Sequence, residues 1–297
     1  MDVGRQQVSR REWREAAINF IKVLDELPPG IRASSQEMHF CFEMVQRPEV
    51  FANLVELRPE DMRLWHVRGR TFASSREWTK ASSDYEKSLE LLTKELSQLA
   101  PADRSVAFFG GAAVGLELAA LKLLSGDELG YRDLCKSLMK TQVLADEHFV
   151  ASHLSRASTL LPDTMTDWSI PLKWAGQSVA EQPRFAWYLY SLGIAQHRAG
   201  QDEQAIQTLK KSLEVGPNWV GRGQNYAVLA LACHRLGRDT EAGDWHRQTQ
   251  SWLIETNRLT ADFKFGVAAS FYLSDWLCAQ VLLTEAEKLL SGNAGSK

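Results

Sequence analysis

The chain has 297 residues, 44% of them hydrophobic and 24% charged, with a formal net charge of −3. That length suits two average domains or one elongated array of repeats, and the composition is that of an ordinary soluble protein. The near-neutral charge, with no run of basic residues, excludes nucleic-acid or membrane-surface binding by bulk charge.

The N-terminal MDVGRQQVSRREW has no apolar core of the signal-peptide kind. Trp13–Leu27 reads as a helix stopped by Pro28-Pro29-Gly30, followed by a shorter pair over Ser34–Gln46 and Pro48–Leu57. Arg63–Ser74 and Glu77–Leu99 form the next pair, and Ala100-Pro101-Ala102-Asp103 is the clearest internal break. Asp103 is placed to cap a helix that runs to Leu124. Its apolar part, Val106–Leu124, is split by glycines and carries Glu117 and Lys122, so it does not read as a membrane span. Gly126 is a turn glycine, and Tyr131, Cys135 and Leu138 line the helix after it. Glu147–Leu161 and Pro171–Glu181 make another pair, the proline sitting in a first turn where its missing N–H costs nothing.

The clearest pattern lies in Phe185–Trp219. Leu189, Leu192, Gly193 and Gln196 share one helix face, Ala199-Gly200-Gln201-Asp202 breaks it, and Asp202 is an N-cap candidate for a second helix. That helix carries Ala205, Leu209 and Ser212 on one face and ends at Gly216-Pro217. The pattern returns one period of 37 residues later, from Tyr226 through Leu229-Ala230, Cys233, Gly237 and Asp239 to Ala242. Nearer the front, Trp65, Arg68-Gly69, Phe72, Ala81 and Tyr85 repeat it, and Arg11-Glu12-Trp13 aligns with Arg76-Glu77-Trp78. After Trp252 the pattern fades: residues 255–273 read as a connection, 274–290 as a terminal capping helix and 291–297 as a disordered tail.

Large residue, Leu-Gly, Ala, Leu, Pro in this order resembles the tetratricopeptide repeat. Gln196 and Arg68 stand where that family prefers an aromatic and a leucine. The likeness extends further. Gly126-Asp127, Gly130-Tyr131-Arg132-Asp133-Leu134-Cys135, Ala186-Trp187-Tyr188-Leu189, His234-Arg235-Leu236-Gly237 and Asp275-Trp276-Leu277 are similar to the repeat regions of large planctomycete-type bacterial proteins that also carry Ser/Thr kinase or WD-repeat domains. The resemblance implies an all-α fold, a right-handed α-solenoid of about seven hairpins with a terminal capping helix. Residues 1–99 and 103–254 would hold the two groups of hairpins. It implies a non-catalytic scaffold that binds a protein segment; the alternative is a regulatory region controlling an attached or associated enzyme such as a Ser/Thr kinase, and the scattered cysteines lead to the expectation of a cytoplasmic protein. Gly4 aligns with Gly69, yet part of the preceding helix has no counterpart. The natural chain is therefore expected to continue upstream of Met1, unless the half-repeat is a true cap.

No pattern for chemistry competes with this. Gly110-Gly111-Ala112-Ala113-Val114-Gly115 lacks the Lys-Ser/Thr of a phosphate loop, and His148 and His153 fall on different helix faces. The four cysteines have no C-x-x-C spacing, and Cys135 and Cys233 sit at packing positions, as reduced core residues do. No cofactor, metal, nucleic acid or membrane is called for. In the family, first helices line a concave face at positions two, five, six, nine, twelve and thirteen. Carried over, these include Arg63, His66 and Arg70; Trp187, Tyr190, His197 and Arg198; and Gln224, His234 and Arg235. Such a groove suits an acidic or C-terminal peptide. The other reading of the two His-Arg pairs is that they cap their helix C-termini against the dipole.

Overall fold

The structure, a computed structural model, describes residues 6–7, 9–26, 48–98, 104–140, 147–164, 167–263 and 273–292. Within them the chain is all-α, a series of helical hairpins. Its helices are α1 (Trp13–Glu26), α2 (Pro48–Leu57), α3 (Met62–Ser74), α4 (Trp78–Gln98), α5 (Arg104–Leu124), α6 (Glu128–Leu138), α7 (His148–Ser158), α8 (Ser169–Glu181), α9 (Ala186–Arg198), α10 (Asp202–Val215), α11 (Arg222–Arg235), α12 (Asp239–Phe263) and α13 (Leu273–Gly292). No described helix is long and apolar enough to cross a membrane. The expected helix over 34–46, the cap at Asp103, Cys41 and residues 293–297 of the expected tail lie outside the described residues.

Two compact units divide the chain: Met1–Val114 with Thr260–Leu273, and Gly115–Leu259 with Ser274–Lys297. In the first, α1 and α2 pack around Ala16, Ala17, Phe20, Phe51 and Leu54, with Leu64 of α3 closing the cluster. The α3–α4 hairpin closes at Gly69, where a β-carbon would stand 2.6 Å from the Tyr85 ring. Arg68 forms a bidentate pair with Asp84 at 2.6 and 2.7 Å, and its guanidinium lies over Trp65. That pairing is why a long cation occupies a place where leucine is usual.

In the second unit α7–α8, α9–α10 and α11–α12 are successive hairpins, with α7, α9 and α11 as neighbouring first helices. The close approach expected at Gly193 is present: a β-carbon there would meet Leu209 at 2.5 Å. Ala205 and Ala242 are fully buried. The glycine-rich stretch of α5 is helical throughout, and Gly111 serves close packing on Leu92.

The hairpin turns share one hydrogen bond. The N–H groups of Glu12, Glu77, Asp127, Gln201 and Arg238 each donate to the carbonyl five residues back, at 2.8–2.9 Å. This is the Schellman closure, and it needs one residue in the left-handed region. Gly126, Gly200 and Gly237 supply it at φ 83°, 81° and 72°, while Arg11 and Arg76 adopt it without glycine at 62° and 59°. The matched Arg-Glu-Trp segments therefore mark the same turn twice.

Two expectations are corrected. Residues 255–263 are not an irregular connection; α12 continues as helix to Phe263. Arg258 pairs with Glu255 one turn away, and Asn257 Oδ1 accepts from the Trp276 indole at 2.8 Å. Asp202 is also not an N-cap: it is the first residue of α10, and its carboxylate turns to other partners.

Candidate functional site

The first helices of the second unit present one face, and α13 lies against it. Arg156 of α7 is 1% exposed and donates to Asp275 Oδ1 at 2.6 Å. Gln224 of α11 is fully buried and donates to the same oxygen at 2.9 Å. The Arg156 guanidinium stands 5.4 Å from the Tyr190 ring centre. Ten residues along α13, Glu285 takes both terminal nitrogens of Arg198 at 2.7 Å. Leu282 and Ala286 join Tyr190, Ile194, Leu229 and Cys233 in one apolar cluster. A helix held by carboxylates at two levels, with apolar residues between, occupies the face.

Arg198 also donates to the carbonyls of Thr159 and Leu160, at 2.8 and 3.0 Å, beyond the end of α7. Its counterpart Arg235 reaches back to the His197 carbonyl and to Asp202. Each guanidinium thus satisfies groups at the C-terminal end of the preceding first helix, where cations are favoured. The dipole reading of these arginines holds for the neighbouring hairpin rather than their own.

Several residues expected on an open groove are therefore interior. Tyr190 and Gln224 are fully buried, and His197 and Arg198 are 4% and 8% exposed. Tyr190 packs under the Arg156–Asp275 pair; His197 Nδ1 donates to Asp202 Oδ1 at 2.7 Å. Trp187 is half-buried in a cluster with Phe149, His153 and Tyr188. His234 contacts Asp239 at 3.1 Å, and the Arg235 side chain is 44% exposed. In the first unit Arg63 is half-buried and paired with Asp61, His66 meets Tyr85 edge to face, and Arg70 is half-buried. Arg156, Asp275 and Glu285 were missed. The available signal was an arginine set among Ser152, Ser155 and Ser158 in a helix with no other Lys, Arg, Asp or Glu.

The buried histidines and thiols here are shifted towards neutrality. Burial pushes the His197 ring down to about 4, the nearby arginines adding to it against the pull of Asp202. Burial, with Arg156, pushes His153 down to about 3. Burial raises the thiols of Cys135 and Cys233 to about 11 and Cys278 to about 12, so they are packing groups. Among the described residues no His/Cys/Asp/Glu group could hold a metal.

A pH dependence follows. Between pH 6.5 and 4 the unfolded histidines bind protons that the folded ones refuse, so stability falls as pH falls through that window. For His197 alone the loss approaches about 3 kcal/mol. Urea midpoints at pH 7 and pH 4.5 should differ accordingly, and His153→Gln should shrink the difference. A flat profile would show that the two rings take up protons in the folded chain as readily as in the unfolded one.

No protein-family model matches the chain. No curated protein matches its sequence. Among solved structures, MamA is similar at 18% identity, with 59% of this chain and 92% of that one covered and a TM-score of 0.38. The Cut9 structure, from the APC/C Cut9–Hcn1 hetero-tetramer, is similar at 14% identity, covering 92% and 52%, with a TM-score of 0.46. YrrB, described as a TPR protein with an unusual peptide-binding site, is similar at 14% identity, covering 69% and 93%, with a TM-score of 0.35.

Proposed function

We propose that this chain is a non-catalytic interaction scaffold that binds a segment of a partner protein, acidic in character, on the faces of its first helices. The observation that supports this most is the seating of α13: guanidinium groups of α7 and α9 take carboxylates of a helix at two levels. A face that receives an acidic helix this way has the chemistry to receive another. Arg63, His66 and Arg70 would contribute on the first unit, and Trp187, His234 and Arg235 on the second. If the partner is an enzyme, such as a Ser/Thr kinase, the scaffold would recruit or mask it.

The test is fluorescence anisotropy with a set of acidic helical peptides and their charge-reversed versions. Acidic peptides should bind, and a chain carrying Arg63→Glu, Arg70→Glu and Arg235→Glu should lose that binding with helicity intact. Equal binding of acidic and basic peptides, or undiminished binding by the triple variant, would sink the reading.

A further inference from the structure

α13 meets its face with a mixture of good and poor contacts. The apolar side is well buried: Trp276, Leu277, Cys278, Leu282 and Ala286 are at most 2% exposed. The polar side is costly. Arg156 and Asp275 are both removed from water, and the desolvation of such a pair offsets most of its attraction. Arg156 Nε is buried without a hydrogen-bond partner. Unmade hydrogen bonds in buried groups are a penalty that a different occupant could remove. The two carboxylates are ten residues apart, about 15 Å along a helix, a span that crosses from one first helix to the next.

We propose that this face is a helix-receiving surface held in cis by α13, and that a partner protein's helix displaces it. The partner helix is apolar on one side, carries two carboxylates ten residues apart, and places beside the first of them a group that accepts from Arg156 Nε. This rests on the interaction reading above and adds the competitor. The arginines set which helices fit; the unpartnered Arg156 Nε leaves room for a better one.

The test uses the full chain with a protease site inserted within residues 264–272 and cut after folding. The probe is a fluorescent peptide of residues 273–292. The nicked chain should take up the peptide and release its own helix, and the D275R/E285R peptide should bind at least about tenfold less well. Failure to exchange over days, or equal uptake of both peptides, would make α13 a fixed core element and overturn the proposal. Amide exchange on the unmodified chain gives a second reading that needs no insertion. α13 should open at lower cost than α9, and equal protection of the two helices would count against displacement. An acidic partner that binds while α13 stays protected would retain the scaffold reading and remove only this one.

Discussion

Asp275→Ala should destabilise the chain by about 3–5 kcal/mol, because it leaves the Arg156 guanidinium buried with no counter-charge. Gln224 loses the nearer of its two acceptors in the same step, keeping the Gly221 carbonyl at 3.4 Å. A shift of the urea midpoint at constant slope is the expected measurement. The double variant Arg156→Met with Asp275→Leu should recover at least half of the loss, since removing both charges also removes their desolvation cost. A single variant as stable as the parent would mean that the pair is wet and that α13 is not seated as described.

Ala205→Trp should cost more than about 2 kcal/mol by overpacking. Ala205 is fully buried, and Leu209 one turn on already presses against Gly193. The backbones of α9 and α10 cannot separate without parting Ser212 Oγ from the Ala186 carbonyl, which it reaches at 2.7 Å. An unchanged denaturation midpoint would show that the hairpin register is wrong.

Turns and hairpin interfaces were legible in the sequence because their causes are local. A glycine with φ near 80°, a small residue facing a leucine, and a proline after a helix end each leave a signature within a few residues. The Arg-Glu-Trp turn was legible only through its repetition, since neither Arg11 nor Arg76 announces a left-handed backbone. The end of α12 was not legible. Its outer positions are polar, so the apolar period that marks a helix fades before the helix does. His197, Arg198 and Gln224 were expected on an open groove and are buried instead. The occupant of that face was hidden, because Arg198 meets Glu285 across 87 residues and Arg156 meets Asp275 across 119. Nothing in a local pattern couples positions so far apart. The guanidinium groups were read as waiting for a foreign carboxylate, when carboxylates of the same chain already reach them.

The back-reaching arginines give the second unit a direction. Arg235 belongs to the later hairpin and serves the end of α9; Arg198 belongs to the middle one and serves the end of α7. Removing an earlier hairpin would release an arginine into water, where it is well solvated. Removing a later one would strip the carbonyls of Thr159, Leu160 or His197 of their donors while their surroundings stay folded. The array should therefore unravel asymmetrically. Pulled from its C-terminal side, each hairpin lost weakens the one before it; pulled from the other side, the remaining hairpins keep their own closures.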